Sequence, residues 1–130
     1  MRGLTLRATL VLGSIGILLA APASGAEQGD ATRGQQLYAI QCAGCHALDP
    51  APQRMGPPLG GVVGRKAGSV EGVRYSVAMR DAGFVWDEAR LDAYLANPHR
   101  YLPGTTKAIS VANAKARADL IAYLRSQSKP

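Results

Sequence analysis

The chain has few of the side chains that most catalytic and metal sites require. It contains 130 residues with only two cysteines and two histidines. A zinc site takes about four Cys, His or acidic ligands, and His99 is the only Cys or His outside residues 42–46, which disfavours zinc. We recognise no pairing of a nucleophile with a base and no dyad of carboxylates. The sequence therefore offers no enzyme active site.

Acidic and aromatic residues are also scarce. Nine Asp and Glu face fifteen Lys and Arg, which gives a formal net charge of +6, and there are one Trp, one Phe and five Tyr. The basic residues are scattered, with no long Lys/Arg run and no interleaved aromatics, so nucleic-acid binding is disfavoured. Docking onto an acidic patch of a protein partner fits this charge better. The sequence contains no internal repeat, low-complexity tract or convincing strand.

The apolar run at residues 8–21 is shorter than the roughly 20 residues that a spanning helix needs. Arg2 and Arg7 precede it, and a stretch rich in small residues follows. This order predicts a secretory signal peptide over residues 1–26, cut after Ala26, or alternatively after Ala23. An uncleaved membrane anchor is the competing interpretation. Residues 27–130 are expected to form one domain in the periplasm, without stable membrane insertion.

The most informative segment is Cys42-Ala43-Gly44-Cys45-His46. A C-x-x-C-H string is typical of c-type haem attachment, because two thiols at this spacing can each form a thioether to the porphyrin while the adjacent His binds iron. A thioredoxin-like redox pair would need a βαβ setting, which nothing upstream suggests. A disulfide would leave His46 unexplained. We therefore predict one covalent haem c that forms part of the core.

Helix start and stop signals predict an all-α fold with three main helices, one short helix and long loops. The segment from Leu48 to Gly64 is rich in Pro and Gly and predicts an irregular loop around the cofactor. The expected helices are one that starts at Asp30 and runs into the haem motif, a short one between Ser76 and Gly83, one from Asp87 to Asn97-Pro98, and one from about Asn113 to Gln127.

Motifs in order along residues 29–126 resemble those of the class I cytochromes c, of mitochondrial and bacterial periplasmic type. They are Gly29-Asp30, Gly34, Tyr38, C-A-G-C-H, Gly56-Pro57, Leu59, Gly64-Arg65-Lys66, Tyr75, Trp86, Leu91-x-x-Tyr94-Leu95, Asn97-Pro98, Tyr101-Leu102-Pro103-Gly104-Thr105 and Asp119-Leu-Ile-Ala-Tyr-Leu124. The resemblance implies the class I fold around one covalent haem. It also implies that the terminal helices cross at small residues, with Gly34 and Tyr38 against Leu120 and Tyr123.

The resemblance assigns roles to individual residues. It implies that Cys42 and Cys45 are the thioether anchors and that His46 is an axial ligand, with the Pro57 carbonyl accepting the imidazole N–H. The other cofactor-binding residues that it implies are Arg65, Tyr75, Trp86, Tyr94 and Thr105. Of these, Arg65, Tyr75 and Trp86 resemble donors to the haem propionates, although Tyr75 and Trp86 could instead be plain core aromatics.

One position departs from the family pattern. The family's second axial ligand is a Met shortly after Pro-Gly-Thr, and here Lys107 stands at that place. The other methionines of the domain are not expected to substitute, because Met55 lies in the Pro-rich loop on the His46 side and Met79 lies in the short second helix.

Three states of the sixth position follow from Lys107. Its neutral amine could bind the iron, although deprotonation at pH 7 costs about 4.6 kcal/mol. Alternatively it could stay charged and reach solvent, leaving the iron open. In the third state His99 replaces it. Amine ligation predicts a lower reduction potential than thioether ligation, whereas an open iron predicts binding of small ligands.

The function that this resemblance implies is electron transfer rather than catalysis, with iron cycling between ferric and ferrous. The expected partners are membrane or periplasmic redox proteins that dock through a basic surface around the haem edge, for which Lys66, Arg54 and Arg100 are candidates. The alternative is a haem protein that binds small ligands or has a peroxidase-like side activity, with Lys107 or nothing at the sixth position.

Overall fold

A computed structural model describes residues 28–128, so the predicted leader over residues 1–26 lies outside the described part. The helices of the described part are α1 (Ala31–Gln41), α2 (Val77–Arg80), α3 (Glu88–Ala96), α4 (Pro98–Tyr101) and α5 (Ala114–Ser126). Strand-type pairing among residues 28–128 is limited to an isolated antiparallel bridge between Lys66 and Val85. The predicted all-α class is confirmed.

The predicted helix starts are confirmed, and at each of them the side chain of the N-cap residue accepts a backbone N–H group of the first turn. A capping oxygen accepts backbone N–H groups that have no partner within the first turn. The caps are Asp30 on Thr32 and Arg33, Ser76 on Met79, Asp87 on Arg90, and Asn113 on Ala116. The start of α5 and its end at Ser126 also match the prediction.

The structure differs from the predicted helices in two places. The short helix α2 ends at Arg80 rather than at Gly83, whose positive φ of 72° instead turns the chain beyond the helix. The helix α4 was not predicted at all. Asn97 ends α3 and also caps α4 by accepting the Arg100 N–H, and Pro98 fits the first turn of the new helix because no intrahelical bond is lost there.

The two terminal helices cross at Gly34. A Cβ at this position would lie 2.0 Å from the Asp119 carbonyl oxygen and 2.8 Å from the Tyr123 Cβ. The Tyr38 and Tyr123 rings pack beside this crossing, with centroids 5.5 Å apart. Leu120, also expected at the crossing, is buried and lines the central cavity described below. The α1–α5 pair is therefore held at backbone contact.

A buried carboxylate joins the same two helices. Asp119 accepts the Asp30 N–H at 2.6 Å, the Arg33 Nε–H at 3.0 Å and a Lys115 Nζ–H at 2.9 Å. These donors, the Arg33 guanidinium first, hold the pKa of the Asp119 carboxyl well below its usual range. The ionised carboxylate thus stabilises the start of α1 against α5.

The segment between α1 and α2 runs as irregular loop, as predicted for residues 48–64. It returns to the body of the protein through backbone bonds from Gly64 to Trp86, from Ala67 to Phe84 and from Trp86 to Arg65. None of the helices in the described residues has the length and apolar character that crossing a bilayer requires.

Candidate haem-binding site

The C-x-x-C-H segment forms a tight turn directly after α1. The N–H groups of Cys42 and Ala43 both donate to the Tyr38 carbonyl, and those of Cys45 and His46 donate to the Cys42 carbonyl at 3.1 and 2.9 Å. The Tyr38 hydroxyl donates to the His46 carbonyl at 3.1 Å. The last turn of α1 therefore fixes the two thiols and the imidazole as one unit, and both cysteines are free of a disulfide.

The imidazole of His46 is oriented by one hydrogen bond. Its Nδ1 lies 2.8 Å from the Pro57 carbonyl oxygen. A carbonyl only accepts, so Nδ1 carries the hydrogen and Nε2 keeps its lone pair. Burial lowers the pKa of His46, which favours the neutral ring. The side chain is thus in the tautomer that a metal-binding imidazole needs.

A glycine lets the backbone reach the face of this ring. A Cβ on Gly56 would lie 2.3 Å from the His46 Cε1 and 2.6 Å from its Nδ1. The Gly56 N–H also donates to the Cys45 carbonyl at 2.8 Å. The loop that contains Gly56 therefore packs directly on the imidazole and holds it next to the two cysteines.

A cavity of about 420 Å³ opens beside this unit. Its walls come from the end of α1, from α2, α3 and α5 and from the loops, and most of its lining side chains are apolar. The apolar wall residues from helices are Met79, Leu91, Leu95, Leu120 and Leu124. A mostly apolar cleft with a few convergent polar groups is the usual form of a cofactor site.

The residues implied as haem-binding all line this cavity, but several also bond within the protein. The Arg65 guanidinium donates to the Gly60 and Pro58 carbonyls at 3.2 and 2.7 Å, and burial lowers its pKa. The hydroxyl of Tyr75 accepts the Val70 N–H at 3.3 Å. Trp86 is buried, with its ring 5.0 Å from that of Tyr94. The cavity lining includes Pro57, Arg65, Tyr75, Trp86, Tyr94 and Thr105.

The hydroxyls of Tyr94 and Thr105 form a buried pair at 2.6 Å. Burial raises the pKa of Tyr94, so its phenol stays protonated at neutral pH. The Thr105 Oγ1 also accepts the Lys107 N–H at 3.5 Å. The pair thus anchors the segment that contains Thr105 and Lys107 to α3.

Lys107 lines the same cavity as Cys42, Cys45 and His46. Burial lowers the pKa of its ammonium group, whereas the two cysteines act in the opposite direction. Its Nζ donates to the Ile109 carbonyl at 2.6 Å. The amine is therefore at the cavity, with a backbone acceptor two residues away.

The other candidate ligands occupy different places. His99 is exposed on α4 and is not among the residues that line the cavity. Met55 lies at the cavity but is 88% exposed, next to the glycine that covers His46. Met79, which was not expected to face the iron, is 9% exposed and lines the cavity. Only its place in the tertiary structure reveals this, because α2 is too short to show a face in the sequence.

Basic residues at the cavity differ in part from those expected. Exposed Lys66 lines the cavity, and exposed Arg74 lines it as well. Arg54 and Arg100 are exposed but lie outside the cavity lining. Sequence reasoning missed Arg74 because it carries no motif.

The residues present fit a covalently bound haem. Two thiols, a neutral imidazole with a free Nε2 and a mostly apolar cavity with polar groups in its lining meet at one place. The cradle that Gly56 leaves for the imidazole would be filled by any larger side chain. These are the donors and surroundings that c-type haem attachment uses.

Comparisons with known proteins identify the family of this chain. The sequence model of the cytochrome c family matches residues 31–128. Cytochrome c2 of Rhodomicrobium vannielii is 44% identical over 115 residues, which cover 87% of this chain and 91% of that protein. Cytochrome c of Tetrahymena pyriformis is 45% identical over 100 residues, 76% of this chain and 90% of that protein.

A solved structure shows the same fold. Cytochrome cH from Methylobacterium extorquens superposes with a TM-score of 0.69 at 38% identity, covering 75% of this chain and 99% of that one. Its likeness and the family match together bear out the class I cytochrome c fold. With the site geometry above, they show that the chain belongs to the cytochrome c family, as an electron carrier with a single covalent haem c.

Proposed function

We propose that this cytochrome c carries electrons in the periplasm with His46 and Lys107 as its two axial ligands. The observation that carries the proposal is that both side chains line one cavity that the two cysteines also line. The bound haem supplies one-electron chemistry by alternating between ferric and ferrous iron. Cys42 and Cys45 anchor it as thioethers, and Pro57 keeps the imidazole in its ligating tautomer.

Lys107 is supported as the second ligand by where its backbone is held. Thr105 binds the Lys107 N–H and is itself bonded to Tyr94. The backbone of the lysine is therefore fixed on the cavity wall, so that binding has to order only the side chain, whose rotamer entropy is about 2 kcal/mol. An amine favours ferric iron, so we expect a low reduction potential for this family.

A second function is favoured by one contact. The Lys107 Nζ lies 2.6 Å from the Ile109 carbonyl oxygen, which is a good position for an ammonium group. A lysine kept there does not bind the iron, and if no other side chain takes the sixth position, the protein binds small ligands or acts as a peroxidase.

Restoring the family residue distinguishes the two. Lys107→Met should raise the midpoint potential by more than about 59 mV, a tenfold change in the ferric to ferrous ratio, because a thioether replaces an amine. The measurement is a redox titration with EPR of the ferric holoprotein. Lys66→Met is the matched control, since Lys66 is an exposed lysine at the same cavity. An unchanged midpoint, or a high-spin wild type, would reject lysine ligation.

We place the partner surface where exposed basic and apolar side chains meet at the cavity. It consists of Lys66, Arg74, Met55 and Ile109, all of which are exposed and line the cavity. An acidic rim on a redox partner would be steered to it by charge.

The charge of this surface can be tested with hexacyanoferrate(III), an anionic oxidant. Lys66→Ala/Arg74→Ala should slow oxidation several-fold at low ionic strength, and the difference should vanish in high salt because screening removes steering. Arg54→Ala/Arg100→Ala is the comparison, since both residues lie outside the cavity lining. A larger loss in that second variant would move the docking surface away from the cavity.

The leader is part of the same proposal. Export through a signal peptide delivers the chain to a compartment where c-type haem is attached, and cleavage after Ala26 would leave Glu27 as the first residue. The intact mass of protein recovered from the periplasm tests this together with haem attachment. A mass that retains residues 1–26 would favour a membrane anchor.

A further inference from the structure

The described residues contain two methionines, and their surroundings differ. Met55 is 88% exposed, whereas Met79 is 9% exposed and belongs to the buried core. Both line the cavity that also holds His46 and Lys107. Met55 directly precedes Gly56, which packs on the His46 ring. Met55 is therefore mostly in solvent and adjacent in the chain to the glycine on the imidazole, whereas Met79 is the buried methionine of the cavity.

The backbone of Met79 is fixed. Its N–H donates to the Ser76 Oγ at 3.1 Å, which caps α2. Gly68 approaches so closely that a Cβ there would lie 2.6 Å from the Met79 carbonyl oxygen. A short helix would fray by itself, but these contacts place it firmly on the cavity wall.

The helix α2 is also next to the turn that carries Lys107. A Cβ on Gly104 would lie 3.2 Å from the Ala78 Cβ. Ala78 precedes Met79, and Gly104 precedes Thr105, whose hydroxyl accepts the Lys107 N–H. Met79 and Lys107 thus stand on adjoining segments of one wall.

The two side chains differ in what holds them in the structure. The Lys107 Nζ donates to the Ile109 carbonyl oxygen at 2.6 Å. Met79 offers a neutral thioether, which haem iron accepts as a ligand. A lysine held at that carbonyl leaves the iron to any neutral donor within reach.

We propose that Met79 is a second ligand for the same iron position, which its thioether occupies whenever Lys107 is absent or is bound to the Ile109 carbonyl. The inference rests on the proposed haem site but does not require Lys107 to be the resting ligand. It gives the protein two alternative states, one with an amine and one with a thioether. The thioether state has the higher reduction potential.

Four holoproteins test the proposal: wild type, Lys107→Ala, Met79→Leu and the double variant. Leucine nearly conserves the volume of methionine, so Met79→Leu should fold. Met55→Leu is the matched control, since it removes the exposed methionine at the same cavity. The readouts are the ferric spin state by EPR and the NMR shift of ¹³C-methyl methionine in the ferrous protein, where a methyl bound over the iron moves far upfield in the porphyrin ring current.

In Lys107→Ala we expect low-spin iron and one strongly upfield-shifted methyl, and both should disappear in the double variant. Imidazole should bind Lys107→Ala at least about tenfold more weakly than the double variant, since Met79 competes for the position. High-spin iron in Lys107→Ala, with imidazole affinity equal to that of the double variant, would overturn the proposal. So would an upfield methyl that Met55→Leu removes.

The wild type separates this inference from the proposed function. An upfield methyl in wild type that Met79→Leu removes would reject Lys107 as the resting ligand and support Met79. Amine ligation in wild type together with an open Lys107→Ala would support the proposed function and overturn the inference.

Discussion

Replacing Gly34 with alanine is expected to lower the free energy of unfolding of the holoprotein by about 3 kcal/mol or more. For a domain of this size that corresponds to a fall in melting temperature of about 12 °C or more. The added Cβ would lie 2.0 Å from the Asp119 carbonyl oxygen, which is a backbone atom and cannot rotate away. The measurement is thermal or denaturant unfolding followed by helical circular dichroism.

The sign of this effect is informative because helix propensity alone predicts the opposite. Alanine favours a helix by about 1 kcal/mol over glycine. To accommodate the methyl group, α1 and α5 must separate, which disturbs the Tyr38–Tyr123 contact and the bonds of Asp119 to Asp30 and Arg33. The loss from separation therefore exceeds the gain in propensity.

The neighbouring position supplies the control. Gln35 is exposed on α1, so Gln35→Ala should leave the stability within about 0.5 kcal/mol of wild type. If Gly34→Ala proved as stable as Gln35→Ala, the close crossing of α1 and α5 would be wrong.

Much of the secondary structure could be predicted because its signals are local. Asp30, Ser76, Asp87 and Asn113 cap helices through bonds to residues two or three positions away. The same locality explains the errors. A glycine such as Gly83 predicts a left-handed turn, but it does not show whether the preceding helix extends as far as that turn. Asn97 can end one helix and also start another, so the residue alone did not reveal that α4 follows α3.

The candidate site also has one part that local sequence predicts and another part that only tertiary contacts determine. The cysteine and histidine spacing is written into five consecutive residues, and the structure keeps it as one turn after α1. The position of Met79 depends on the close approach of Gly68 to its carbonyl oxygen and of Gly104 to the neighbouring Ala78, and both glycines lie outside α2. The bond from Lys107 to the Ile109 carbonyl depends on how one loop folds back. No pattern of residue types specifies either arrangement.

Removing both thiols is expected to have the largest effect of any change in the chain. In Cys42→Ala/Cys45→Ala no thioether can form, so the intact mass of the recovered protein should be that of the polypeptide alone, with no haem added. A cavity of about 420 Å³ in the core would then lack its covalently held filling. Its apolar walls would be open to water, at an expected cost of several kcal/mol, which is a large part of the whole stability of a typical domain.

The variant should therefore lose most of its helical circular dichroism as well as its colour, because the walls of α3 and α5 at the cavity would face water. Gly44→Ala is the matched control, since it lies between the two cysteines and a Cβ there meets nothing within 4 Å. That protein should keep covalent haem and wild-type helicity. A double cysteine variant that remained fully helical without haem would show that the polypeptide packs its own core, and that the cofactor is bound by the fold without being needed to form it.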